Sequence, residues 1–394
     1  MMYCFNPNHD MALADGRPYY RPPAGIAGME HDLCLLPVWY APAGSVVKVA
    51  DEESARRWLA DLPLHVPVEV AAEWQSAALC PWGWNPALAE QLRQAGLQVE
   101  NCPSPEQLAR IRYLSSRERC IGLQRSLRVL PGVGGEAVAC TDLRAVLRQV
   151  NAYGDALLKA PWSGSGRGLV RVSAVSWSAN VEGWAARVLR TQGTLMVEPI
   201  YNKVRDFAME FRCEPDGRVM FGGYSLFETD AHGNYKLNRL LSDGAIEERL
   251  AQEVPLSLLH TVRQHLAICL QRLIDSSYTG WLGVDMMVCR EGKGYWLHPC
   301  VEVNLRMNMG VVARHLFDRY VHPAASGRFQ VEYFTADGDA LRSDRERKRS
   351  APPVVEDGRL KRGYLSLTPV GEATRYQAFV LLDDVKQGSS EPIL

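Results

Sequence analysis

The chain has 394 residues and a hydrophobic fraction of 47%, ordinary for a globular protein large enough to form two or three domains. Its formal net charge of −1 supplies no field for gathering nucleic acid or an anionic membrane, and no apolar run approaches the roughly 18–20 residues that span a bilayer. Ten scattered cysteines without a Cys-x-x-Cys pair, and an N-terminus with neither a basic patch nor a long apolar stretch, point to reduced thiols in a cytoplasmic protein without a signal peptide.

A first strand is expected at Met2-Tyr3-Cys4-Phe5. Polar residues cluster where it ends, in Asn6-Pro7-Asn8-His9-Asp10. Two readings of His9 stay open. It is a general base for an incoming amine, with Asp10 orienting it or binding that amine, or it is a solvated loop residue beside an N-capping Asp10. The proline-rich stretch 17–23 reads as an irregular connector whose Arg17 and Arg21 either steer an acidic substrate or only solvate a surface. Short strands are expected at 46–50 and 66–70, the second placed at a sheet edge by Pro67. Asn85 and Pro86 fit the N-cap and first position of a helix that stops near Gly96. The loop before it carries Trp82 and Trp84, which either line a substrate pocket at a strand-to-helix edge or pack the loop. Residues of this kind in this order make an α/β N-terminal domain.

Ser104-Pro105 opens a second helix, and 141–150 and 258–274 carry amphipathic stripes. His260 and His265 read as ordinary helix residues, because no His-x-x-x-His and no cysteine pair accompanies them. Between these helices, 155–160 reads as a short strand that includes Lys159. It runs into Pro161-Trp162-Ser163-Gly164-Ser165-Gly166-Arg167-Gly168 and then into another strand. Three glycines at alternate positions permit a tight turn and a close backbone approach, so the loop is either a phosphate cradle or a plain hairpin turn. It is neither a P-loop nor a dinucleotide-binding fingerprint, since no Gly-Lys-Ser/Thr follows and a strand comes next.

Asp285 interrupts an apolar run, and Glu302, Asn304 and Arg306 interrupt another. The turn-rich stretch 290–295 joins the two as a hairpin. Alternation places Glu302, Asn304 and Arg306 on one face of an extended strand. Two carboxylates and an amide oxygen suit Mg²⁺, and an arginine beside them suits a carboxylate or phosphate. The bland alternative is a surface hairpin with a polar face. Further on, the charge run 342–349 reads as a mobile exposed loop, and 362–368 and 376–382 as two strands closing the fold.

The lysine strand, the glycine loop and the Asp…Glu-x-Asn set together resemble the ATP-grasp superfamily, over residues 115–319, roughly half the chain. The resemblance implies an α+β or α/β architecture: an N-terminal open α/β domain (1–112), then a two-lobed ATP-grasp fold with a small lobe (113–197) and a large lobe (198–394). It implies ATP with Mg²⁺, or Mn²⁺ in its place. Lys159, Ser163, Gly164, Ser165, Gly166 and Gly168 would hold the phosphates. Arg117 stands where many relatives carry a first nucleotide lysine, a departure from the pattern. Glu198 and Ile200 on a hinge strand would meet the adenine, and Asp206 the ribose hydroxyls. Lys236 would lie near the γ-phosphate. Asp285, Glu302 and Asn304 would bind the metal, and Arg306 would steady an acyl-phosphate or the transferred group. The implied reaction joins a small-molecule carboxylate to an amine or other nucleophile, in a protein that forms a homodimer and has no nucleic-acid or membrane partner. A nucleotide-binding regulatory or scaffold protein, or a phosphotransferase, is the alternative on the same fold.

Overall fold

The computed structural model describes residues 1–97, 102–164, 168–230 and 233–383. Three sheets organise them. The first is parallel, ordered Glu69–Ala71, Val46–Lys48, Met2–Cys4, Leu79–Pro81. The strand after Pro67 does lie at an edge, shifted to Glu69–Ala71, so that Pro67 itself falls outside the ladder. The helix Pro86–Gln94 begins as its sequence indicates: Asn85 Oδ1 accepts from the Leu88 amide at 3.0 Å. Ser104 and Gln107 form a capping box at the start of Pro105–Leu114.

His9 is not a solvated loop residue. It is the first residue of the helix His9–Asp15 and is buried. The N-cap of that helix is Asn8, so Asp10 lies in the first turn and does not cap it. Trp82 is buried against Phe5 and Tyr40, and Trp84 is partly buried against two hydrophobic clusters, so both tryptophans pack the loop.

The second sheet is antiparallel, ordered Val138–Cys140, Leu195–Pro199, Asp155–Lys159, Leu169–Ser173. The helices Leu143–Tyr153 and Ala179–Gln192 cover it with Val146, Val150, Ala185 and Val188. The third sheet has nine strands, running from the hairpin Gly294–Asn304 and Gly280–Glu291 through Lys203–Cys213, Val219–Thr229 and Tyr235–Leu240. It continues through Gly327–Tyr333, Tyr376–Leu382 and Arg359–Ser366 to Val354–Glu356. The helices Glu118–Leu127 and Leu256–Ile274 pack on it through Leu123, Leu127, Leu259, Val262 and Leu266. His260 pairs with Glu247 at 2.9 Å, as a satisfied helix residue.

The charge run departs from expectation. Residues 342–349 belong to a helix, Asp339–Ser350. Arginine, lysine and glutamate are good helix formers, and the segment holds no glycine or proline. One face is anchored: Ala340 is buried, Asp344 accepts from the Tyr364 hydroxyl at 2.8 Å, and the Arg347 guanidinium lies 4.2 Å from the Phe379 ring.

The first and third sheets share one core. Trp39 Nε1 donates to the Leu367 carbonyl at 2.6 Å, and Leu36, Val38 and Trp39 join a cluster with Val311, Leu316 and Phe329. That shared core fixes the helix His9–Asp15 beside the end of the 294–304 strand. All ten cysteines are unpaired. Among the described residues, no helix is long and apolar enough to cross a membrane.

Candidate active site

The hairpin register sets Asp285 opposite Glu302 and Gly283 opposite Asn304. Asn304 Nδ2 donates to Asp285 Oδ2 at 3.2 Å. Burial, then the nearby Glu302 and Glu210 carboxylates, push the Asp285 carboxyl well above its usual range. A divalent cation among these oxygens relieves that crowding and reverses the shift, so the donor set fits Mg²⁺.

Arg306 does not continue the strand, which ends at Asn304. The chain turns there, with the Arg306 amide donating to the Asn304 carbonyl at 2.8 Å. The turn brings the guanidinium back over the site. Nη2 donates to Asn304 Oδ1 at 3.0 Å, and Nε and Nη2 reach Asp10 Oδ1 and Oδ2 at 2.9 and 2.7 Å. This bidentate pair joins residues 296 positions apart.

Arg117 bridges the glycine hairpin and the carboxylates. Its Nη1 donates to the Ala160 carbonyl at 2.7 Å and to Ser163 Oγ at 2.6 Å. Its Nη2 donates to the Ser163 carbonyl at 2.9 Å and to Glu302 Oε1 at 2.7 Å. The strands flanking the glycines pair as a hairpin, with Lys159 opposite Leu169. Gly168 has φ +71°, and a Cβ there would come within 2.8 Å of Ser163. Gly164 packs on Asp10, where a Cβ would lie 2.1 Å from Oδ2. Ser165 and Gly166 lie outside the described residues.

The other expected nucleotide residues are spread around this centre. Lys159 and Glu198 are buried and form an ion pair at 2.5 Å. The Ile200 amide, expected to meet adenine, donates to the Asp155 carbonyl at 3.3 Å. Asp206 accepts from Thr229 Oγ1 at 2.8 Å and pairs with Lys203. Lys236 is not drawn in. It is exposed, and its ion pair is with Glu228 at 3.9 Å.

One site residue escaped the sequence reading. Glu210 is fully buried, accepts from Ser225 Oγ at 2.8 Å and from Asn308 Nδ2 at 2.9 Å, and pairs across the sheet with Gly283. A Cβ on Gly283 or Gly310 would lie 2.5 or 2.1 Å from its oxygens, so two glycines make its niche. Alternation along the strand from Asp206 puts Glu210 on the same face as Asp206, the signal that could have found it. Burial raises its pKa to about 7, against the opposing Asn308 and Ser225 hydrogen bonds. An acid raised in the folded state gives full stability below its unfolded pKa and loses it as pH climbs through the folded value. The metal-free protein should therefore lose about 3 kcal/mol between about pH 4.5 and 7, at ~1.4 kcal/mol per unit. Denaturant titrations of Glu210→Gln should show that slope reduced, the remainder belonging to Asp285, whose carboxyl is raised as well. An undiminished slope in the variant assigns it elsewhere.

These features define a class of protein: an open α/β unit ahead of two sheets that carry between them a buried lysine, a glycine hairpin and a carboxylate–amide set. The chain has the ATP-grasp fold. Among solved structures it is similar to biotin carboxylase from Campylobacter jejuni in a β,γ-ATP complex, at 12% identity and a TM-score of 0.50, over 97% of this chain and 87% of that one. It is similar to the biotin carboxylase domain of 2-oxoglutarate carboxylase from Hydrogenobacter thermophilus, crystallised with MgADP, ADP and bicarbonate. Identity is 12% and the TM-score 0.50, over 86% and 81% of the two chains. Pyruvate carboxylase from Rhizobium etli matches at 11% identity and a TM-score of 0.51, over 89% of this chain and 35% of that one. Likeness at such identities establishes the fold. No family model and no curated protein matches the sequence.

Proposed function

We propose that the protein is an ATP-dependent ligase that activates a small carboxylate as an acyl-phosphate and passes the acyl group to a nucleophile. One observation supports this reading: two hydrogen-bonded groups, Asp285–Asn304–Arg306 and Ser163–Arg117–Glu302, adjoin where the hairpin register sets Asp285 opposite Glu302. A pocket that only binds nucleotide has no use for the second arginine, which is held by Asp10 of the N-terminal α/β unit. In this reading residues 1–112 form the substrate-side domain, 113–197 the small lobe and 198–394 the large lobe.

Asp285, Glu302 and Asn304 hold Mg²⁺, which when bound neutralises charge on the phosphates. Arg117 and the hairpin amides cradle the transferred phosphoryl group, and Arg117 moves off Glu302 as it does so. Lys159 contacts the α/β-phosphates, and Glu198, Ile200 and Asp206 face the nucleoside. Arg306 stabilises the acyl-phosphate. Positioning and charge neutralisation supply the rate.

The test is ADP release with Mg-ATP and pools of small acids and amines. A coupled product points to a ligase, and a stable phosphorylated product to a phosphotransferase. No ADP under any pool sinks both.

A related expectation concerns Lys159. Removing it alone strands Glu198 as a buried, unpaired charge, a loss of about 3–5 kcal/mol. Lys159→Met combined with Glu198→Gln should recover most of that stability. In the double variant ATP should bind roughly tenfold to a hundredfold more weakly, on the scale of one charge-assisted contact. Measured against Glu198→Gln alone, which carries any change at the nucleoside, adenosine should weaken far less than ATP. Equal losses for ATP and adenosine, by calorimetry, make Lys159 a structural residue.

A further inference from the structure

In the ligase reading a metal ion and the nucleotide phosphates meet at Glu302, and Arg117 already holds that carboxylate. The helix Glu118–Leu127 starts directly after Arg117. Its Gln124 Nε2 donates to the Cys300 carbonyl at 2.9 Å, two residues before Glu302 in the strand. The backbone at Arg117 is thereby fastened to the strand that carries Glu302. The Arg117 amide donates to the Pro161 carbonyl at 3.0 Å, so the glycine hairpin is fastened to the same point. Only the guanidinium is left to turn.

That guanidinium belongs to a side chain only 5% exposed. The Ala160 carbonyl, the Ser163 carbonyl and the Ser163 hydroxyl accept from it, and all three are neutral. Its bond to Glu302 Oε1 at 2.7 Å is its one ion pair among the described residues. A buried charge stripped of its counter-ion is strongly disfavoured. Arg117 can therefore give up Glu302 only in exchange for a second anion. A divalent cation drawn to Glu302 beside Asp285 meets the guanidinium as an adjacent like charge, and that repulsion weakens metal binding for as long as Arg117 stays.

We propose that Arg117 makes the metal and the phosphates load together: its guanidinium passes from Glu302 to a phosphate oxygen in the same exchange that gives Glu302 to the cation. Neither ligand completes that exchange alone. A cation by itself leaves the buried guanidinium without a counter-ion, and phosphates by themselves face the Glu302 and Asp285 carboxylates as like charges. Arg117 is a positioning residue in this scheme, acting on the metal through Glu302, and it keeps the carboxylates from collecting a cation before the nucleotide arrives. This inference rests on the ligase reading for the nucleotide, but its metal half is measurable without turnover.

The probe is Mn²⁺, titrated into the full chain without nucleotide at pH 7 and constant ionic strength, with binding read from the loss of the free Mn²⁺ EPR signal. Arg117→Gln removes the charge and keeps an N–H donor for the hairpin oxygens. It should bind Mn²⁺ about tenfold or more tightly than the wild type, the scale of one adjacent charge. Arg117→Lys restores the charge and should return the affinity to within a few-fold of the wild type. A residue that only props the hairpin has the opposite signature, because its loss disorders the carboxylates and weakens the metal. His322, Glu356 and Asp357 also bring ligand atoms together, so the gain is located by adding Asp285→Asn to Arg117→Gln, which should abolish it. An Arg117→Gln affinity equal to or below that of the wild type overturns the proposal, as does a gain that survives Asp285→Asn. Should Arg117→Gln fail to fold, the wild type with ¹⁵N-labelled arginine decides. Mg²⁺ alone at roughly 5 mM should leave the buried guanidinium signal in place, and Mg²⁺ with β,γ-methylene-ATP should shift it. A shift with Mg²⁺ alone, or none with both, overturns the proposal. Failure of ADP release in the acid and amine pools sinks the ligase reading and leaves the Mn²⁺ comparison standing.

Discussion

Asp285→Asn is expected to lower ADP release by roughly a thousandfold while raising the melting temperature of the metal-free protein. The activity loss follows from the donor set. Asp285 sits opposite Glu302 in the hairpin register and accepts from Asn304, so in the ligase reading its carboxylate would be the central anionic ligand. Losing it removes several kcal/mol of charge stabilisation from the transferring phosphoryl group, and ~4 kcal/mol is about three decades in rate. The stability gain follows from the same crowding. Burial and two neighbouring carboxylates push Asp285 well above its usual range, which means that the ionised form is costly in the folded protein. An amide of the same shape keeps the Asn304 hydrogen bond through its carbonyl and carries no charge. Glu302→Gln is a poorer probe, because it strands the buried Arg117. Opposite signs in activity and stability mark a residue kept for function. Wild-type turnover in Asp285→Asn with Mg²⁺ present removes the metal assignment. A drop in melting temperature instead makes the carboxylate a structural group.

What the sequence made legible was local. The carboxylate hairpin could be found because both strands alternate and the stretch between them is rich in turn residues, so one register aligns Asp285 with Glu302. The helix starts at Asn85 and Ser104 carried their own caps. The helix Asp339–Ser350 was hidden because its stripe is not apolar. Its anchors are the carboxylate of Asp344 and the stacked guanidinium of Arg347, which hydrophobic periodicity does not register. Glu210 was hidden for a related reason. It lies in the apolar run 207–211, and its partners come from 15 and 98 residues away. The Asp10–Arg306 pair spans almost the whole chain, and only the shared core of the first and third sheets brings its halves together. Arg306 was assigned to the strand face by alternation, whereas the turn after Asn304 delivers it. The residue was found and the route to it was not.

That route gives the second large expectation, Arg306→Met. Because the strand has ended, the guanidinium is positioned by its own hydrogen bonds to Asn304 and Asp10 and not by the pleat. It can therefore leave Asp10 and follow charge as it develops, which a side chain locked in a strand face cannot do. In the ligase reading ATP affinity should not depend on it, since Lys159, Arg117 and the glycine hairpin would hold the phosphates while Arg306 is engaged by Asp10 and Asn304. The ATP dissociation constant should stay within a few-fold. Turnover with the true carboxylate should fall roughly a hundredfold or more, the scale of losing one preorganised donor to a developing oxyanion. Removing Arg306 also leaves Asp10 without its partner, so misfolding has to be separated from lost catalysis. Asp10→Asn placed on Arg306→Met separates the two, because it removes the stranded charge. The double variant should regain the melting temperature and should not regain turnover. Calorimetry for ATP beside ADP release with substrate present reads both quantities. Turnover that survives Arg306→Met, or ATP binding that falls in step with it, takes away the catalytic role and moves the protein toward a nucleotide-binding scaffold.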